Sequence, residues 1–385
     1  MVVRVDVNPA LLAWARDRSK VSPSHLAEKF PKLGLWERRE AQPTMKQLED
    51  YARATHTPFG YLLLDRPPTE PIPIPDFRTI ADTPVGRPSA DLLDTIYTCE
   101  ERQDWYRDFA RANREDPVDF VGSLSMTMSI VDAARSVRDL FGLGMEERQR
   151  LRTSSDALTA FVQHADDAGV LVMVSAVVGS NTHRKLDPEE FRGFSLVDDL
   201  APVVFVNGAD TKAAQVFTLV HELAHIGIGQ PGLDDVDPDA TTSNATERWC
   251  NQLAAELLMP MDVVRDEFVA SAPLTEESER LAALFKVSTL AMLRRLLEAS
   301  FLTQSAFRDA FTHERDRIRQ IMAAGGGGSG GNFYNTTPVR TSKRFARAVI
   351  MSTHEGNTLY RDAARLLGFK KVSTLDELGH RLGVD

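Results

Sequence analysis

Phe217-Thr-Leu-Val-His-Glu-Leu-Ala-His225 is the stretch on which the reading of this chain turns. On a helix, residues four apart project from the same side. His221 and His225 can therefore grip one cation. Zinc accepts imidazole nitrogen, and a hydrolytic zinc site takes three protein ligands and keeps a fourth position open. Glu222 follows His221 directly, which puts its carboxylate beside such an ion rather than on it, suited to taking a proton from an attacking water. An amphipathic helix with two surface histidines would carry the same letters. The flanking Phe217, Leu219, Val220 and Leu223 argue instead for a buried helix.

A third ligand is expected downstream. A second helix is predicted from about Ala245 to Leu258, stopped by Pro260, and it carries Glu247-Arg-Trp-Cys-Asn251. The carboxylate of Glu247 would close a two-histidine, one-glutamate site, with Glu256 as its rival. Asn251 lies one turn after Glu247 and is placed to hydrogen-bond the first helix or a ligand.

Working outward, Gly169 to Val178 reads as a buried valine-rich strand, and Phe191 to Leu196 and Pro202 to Asn207 as two more. The strand at Phe191 to Leu196 is either an ordinary core strand or a sheet edge that pairs with an extended peptide. His183 nearby is either a loop histidine or an oxyanion stabiliser. Asp91 to Arg111 and Ser129 to Phe141 read as helices, and residues 275–300 hold two more, separated by Phe285-Lys-Val-Ser288. Residues 1–65 read as tightly spaced short helices, with Leu11, Leu12 and Ala15 on one apolar face and Ser22, Ser24 and Thr44 as N-caps. Five prolines in Arg66 to Pro75 make a stiff linker, and Gly325 to Gly331 a flexible one.

The expected fold is multidomain α+β and mostly helical. It divides into a helix-turn-helix domain at 1–65, a proline-rich linker at 66–80 and a metallopeptidase-like domain with a small β-sheet at 81–265, its core at 165–265. A helix-turn-helix-like region at 270–322, a glycine-rich linker at 323–332 and a small helical region at 333–385 complete the chain.

The net charge of −10 over 385 residues excludes a polycation, so any nucleic-acid contact must be local. Residues 1–65 carry ten Lys/Arg against eight Asp/Glu and are the less acidic part. Lys32, Arg38 and Arg39 near the second helix there are the candidate DNA contacts, but Glu37 and Glu40 flank them, so a solvated or protein-docking face reads equally. Lys286, Arg294 and Arg295 give the second helical pair the same two readings. Cys99 and Cys250 belong to no paired motif, which leaves a disulfide framework unsupported and fits a reducing compartment. The first residues show no signal-peptide pattern, and the most apolar stretch, Gly169 to Gly179, is short of the roughly 20 residues a membrane helix needs. A cytoplasmic protein without membrane contact is expected.

Several blocks together resemble the ImmA/IrrE family of zinc metallopeptidases: Arg192-Gly-Phe-Ser195, Pro202 to Asn207, Phe217 to His225, Glu247 to Pro260, and Phe285 through Leu296. The N-terminal helices followed by Pro75-Asp-Phe-Arg-Thr79 resemble members with an Xre-type domain, and the glycine run with Asn332-Phe-Tyr334 resembles their C-terminal part. The resemblance implies a gluzincin-like zinc endopeptidase with His221, His225 and Glu247 as zinc ligands and Glu222 as catalytic base. Cys250 stands where the family usually has alanine, a small departure. Its implied partner is a protein substrate, a repressor or antitoxin-like regulator encoded nearby. The alternative is a DNA-binding regulator or toxin–antitoxin component whose zinc site is structural or vestigial.

Overall fold

A computed structural model describes residues 3–76, 79–80, 83–84, 88–142, 144–234, 244–324, 333–369, 371 and 373–384. Phe77, Arg78 and the run from Gly325 to Asn332, all singled out above, lie outside the described residues. The described residues form eighteen α-helices and one four-stranded mixed sheet, and a two-stranded ribbon pairs Thr79–Ile80 with Thr83–Pro84. This is the multidomain, mostly helical α+β architecture that the sequence implies. The chain separates into two compact units, residues 1–73 with 85–97 and residues 74–84 with 98–385.

The first unit contains helices Pro9–Ser19, Pro23–Lys29, Leu33–Glu37 and Met45–Ala54 and a 3-10 turn at Phe59–Leu63. Their starts are written in the sequence. The side chain of Asn8 accepts from the N–H of Ala10, and that of Ser22 from the N–H of His25. Thr44 and Gln47 form a reciprocal capping box. Leu11, Leu12, Ala15, Leu26, Trp36, Leu48, Tyr51 and Leu62 form one buried cluster. The Tyr51 hydroxyl reaches the carbonyl of Leu12 at 2.7 Å, so the core's largest polar group is satisfied. Glu70, within the proline-rich stretch, receives two hydrogen bonds from Arg18, at 2.6 and 2.9 Å.

The second unit is built on the sheet. Leu171–Ser175 pairs in parallel with Val203–Asn207; the latter pairs antiparallel with Gly193–Leu196, which pairs antiparallel with Gly232–Asp234. The parallel pair is buried at every position, as expected for unbroken valine-rich strands covered on both faces. Gly193–Leu196 is therefore interior: Gly232–Asp234 covers it, so it does not present the edge weighed above. The outer side of Gly232–Asp234 is itself engaged, because Leu233 donates its N–H to the carbonyl of Pro75 at 3.0 Å.

Helix Lys212–Ile228 packs on the central strands of this sheet, and helix Ala245–Leu258 packs on that helix. We call Lys212–Ile228 the motif helix and Ala245–Leu258 the glutamate helix. Thr211 caps the first and Asn244 the second. Gly229, at a φ of 69°, ends the motif helix in the left-handed conformation that favours glycine. The glutamate helix ends at Leu258, and Arg148 donates to the carbonyls of Leu257 and Leu258 at 3.1 and 2.6 Å. Val216, Leu219, Val220 and Leu223 of the motif helix share one core with Leu253, Leu257, Phe285, Met292 and Leu296. Further on, helix Lys343–His354 is tied down by Asp166, which accepts from the Ser342 hydroxyl at 2.7 Å and from the N–H of Arg344 at 2.9 Å.

Candidate metal centre

The motif helix carries His221, Glu222 and His225 on its buried side, all with no exposed surface. The glutamate helix brings Glu247, in its first turn, against them. The Nε2 atoms of His221 and His225 lie 3.2 Å apart. His221 Nε2 is 3.2 Å from Glu247 Oε2, and His225 Nε2 is 3.1 Å from Glu247 Oε1. Among the described residues these three form the one group whose donor atoms converge closely enough to hold a metal ion.

Those distances test whether zinc fits. Zinc–ligand bonds of about 2.0–2.1 Å in tetrahedral geometry put ligand atoms roughly 3.3 Å apart. The two Nε2 atoms, 3.2 Å apart, match that edge, and each stands 3.1 to 3.2 Å from one of the two oxygens of the Glu247 carboxylate. The chemistry fits as well. Two imidazole nitrogens and a carboxylate, all buried and close together, are a donor set that suits a cation. Burial pushes the Glu247 carboxyl up, but hydrogen bonds to His221 and His225 outweigh it and hold the group well below the usual carboxylate range.

The surroundings orient the donors. His225 Nδ1 lies 3.1 Å from the carbonyl oxygen of Gln230. A carbonyl only accepts, so Nδ1 carries a proton there, and the contact turns Nε2 toward the cluster. Thr246, beside Glu247, donates its hydroxyl to Gln230 Oε1 at 3.2 Å, which ties the glutamate helix to the exit of the motif helix. Gln230 escaped the sequence reading because its contribution to His225 is a backbone carbonyl, which no residue type signals.

Gly193 also touches the site. A β-carbon built there would sit 2.6 Å from Thr218 Cγ2, 2.9 Å from Glu222 Oε1 and 3.0 Å from the carbonyl oxygen of Phe205. A glycine inside a strand pattern is a sequence signal for close approach, and here it marks where the sheet meets Glu222.

The other candidates are placed as follows. Glu256 lies nine residues beyond Glu247, about 13 Å along the helix, and is ion-paired with Arg295, a partly sequestered pair outside the cluster. Asn251 Oδ1 is buried and has no hydrogen-bond partner among the described residues, so the expected bond to the motif helix is not formed through that atom. His183 is exposed in a loop, its N–H on Asn181 Oδ1, and takes no part in the cluster. Lys32 and Arg38–Arg39 sit exposed at opposite ends of the short helix Leu33–Glu37. Arg38 is engaged by Glu40 at 2.8 and 3.2 Å, and Arg39 has a φ of 61°. In the second helical pair Arg295 is buried against Glu256 and the carbonyl of Met259, which removes it from the surface contacts weighed above. Cys99 and Cys250 are buried and not disulfide-bonded, and burial pushes the Cys99 thiol up to about 12, which disfavours its thiolate.

Residues 165–297 match a peptidase family model described as the IrrE N-terminal-like domain, roughly a third of the chain. Residues 341–381 match a second model, described as a domain of unknown function. A search of curated proteins finds no match. The first match contains the motif helix, the glutamate helix and all four strands of the mixed sheet, and supports a metallopeptidase-like domain there. No helix among the described residues is long and apolar enough to cross a membrane.

Proposed function

We propose that this chain is a zinc-dependent endopeptidase that cleaves a specific regulatory protein, with His221, His225 and Glu247 as metal ligands and Glu222 as the general base. The observation that carries the proposal is the convergence of three buried donors at 3.1 to 3.2 Å beside a fourth buried acidic group. Zinc in such a site supplies Lewis acidity to the scissile carbonyl and makes water easier to deprotonate.

The remaining chemistry belongs to the chain. Glu222 accepts a proton from the attacking water and passes it to the leaving amine nitrogen as the peptide bond breaks. Both transfers need a carboxylate that is held in place and shielded from bulk solvent. Glu222 has no exposed surface and lies against the bare backbone of Gly193. His225 is held through Nδ1 by the carbonyl of Gln230, so its Nε2 stays turned to the cluster. The restriction to one regulator, and its origin in a neighbouring gene, rest on the resemblance rather than on the metal chemistry.

The test is Glu222→Gln. The variant is expected to keep about one zinc per chain and to lose cleavage by a factor on the order of 100 to 10,000. Zinc bound with no Glu222-dependent cleavage in cells would favour the alternative, a regulator with a structural metal.

A further inference from the structure

We infer that Gly193 is a positioning residue for Glu222: the strand omits a side chain at this point so that the Glu222 carboxylate can seat against its backbone. The inference rests on the reading of Glu222 as the general base. Gly193 has no positive φ, so its backbone conformation is open to any residue. What excludes a side chain is space. A β-carbon would stand 2.6 Å from Thr218 Cγ2, 2.9 Å from Glu222 Oε1 and 3.0 Å from Phe205 O. Carbon and oxygen atoms in ordinary contact stand about 3.4 Å apart or more.

The three neighbours do not yield equally. The Phe205 carbonyl belongs to the paired strand, and Gly193–Leu196 is hydrogen-bonded on both sides, so neither strand recedes without breaking the ladder. Thr218 is stiff at χ1 and buried on the motif helix. The Glu222 carboxylate is the far end of a flexible side chain and yields first. An alanine at 193 therefore moves the base and also presses on Thr218, whose methyl group is the closest neighbour.

Removing the threonine methyl separates those effects. Gly193→Ala with Thr218→Ser transfers a methyl group across the strand–helix contact and leaves the total volume nearly unchanged. Crystal structures of the wild type, Thr218→Ser and Gly193→Ala/Thr218→Ser, each with zinc content and thermal midpoint, make the test. The double variant is expected to match the wild type in midpoint and to keep about one zinc per chain. Its Glu222 Oε1 is expected to shift by about 0.5 Å or more, the distance needed to restore ordinary contact. Thr218→Ser alone is expected to leave the carboxylate in place. An unmoved carboxylate in the double variant, with the strand displaced instead, overturns the inference. So does a shift of equal size in Thr218→Ser alone. Absence of zinc from the wild type would sink the proposed metal centre but would leave the carboxylate shift measurable, so the two failures are distinguishable.

Discussion

Glu256 and Arg295 form an ion pair beneath the surface, and the same arginine donates through Nε to the carbonyl of Met259 at 2.8 Å. Two rival glutamates of one helix are thus sorted by their partners. Glu247 meets two imidazoles, and Glu256 meets a guanidinium that closes the helix's C-terminal end.

Zinc content therefore separates the two. Glu247→Gln is expected to lose bound zinc, because an amide replaces the one anionic donor of the cluster. Glu256→Gln is expected to keep it. Metal analysis after dialysis reads both, and the reverse pattern would reassign the third ligand.

Arg295→Ala is expected to lower stability by about 3 kcal/mol, since it strands a sequestered carboxylate and a backbone carbonyl. Denaturant unfolding measures it. A loss under about 0.5 kcal/mol, the range of ordinary surface substitutions, would mean that the pair is solvated.

Asp166→Ala is expected to cost about 1–2 kcal/mol, because the Ser342 hydroxyl and the N–H of Arg344 lose their acceptor. The loss should be local. Hydrogen exchange would speed up in Lys343–His354 and leave the motif helix protected. Equal acceleration in both would show that Asp166 supports more than this docking contact.

Glu277 gives a pH signature. Its carboxyl lies below the ordinary value of 4.5, first because of the hydrogen bond from Arg280; burial opposes this, and the N–H of Val269 adds to it. A depressed carboxyl contributes stability above the unfolded value, and the contribution is lost as pH falls through the folded one. Glu277→Gln is therefore expected to be less stable than the wild type by about 1 kcal/mol at pH 7, with the gap closing below about pH 4.5. A gap that stays constant down to acid pH would remove the ionic part of the argument.

How much of this was legible depends on the range of the forces involved. The glutamate helix was read at its observed bounds, Ala245–Leu258, because a proline and a periodic apolar face act locally. Val203–Asn207 was legible as an unbroken β-branched and aromatic run. Strand order was not. Gly232–Asp234 is too short and too polar to signal a strand, yet it covers Gly193–Leu196 and changes which edge a peptide can meet. The histidine spacing was explicit, but the partners that hold it are distant or lie in the backbone. Gln230 acts through a carbonyl, and Asp166 caps a helix 176 positions further along the chain. Propensity carries no trace of either.

Whether Glu222 serves as the base of a peptidase is read out by profiling protein N-termini in cells that produce the wild-type chain or Glu222→Gln at equal levels. New N-termini confined to one or a few regulatory proteins, present with the wild type and absent with the variant, are predicted. The same set of N-termini from both chains would contradict it.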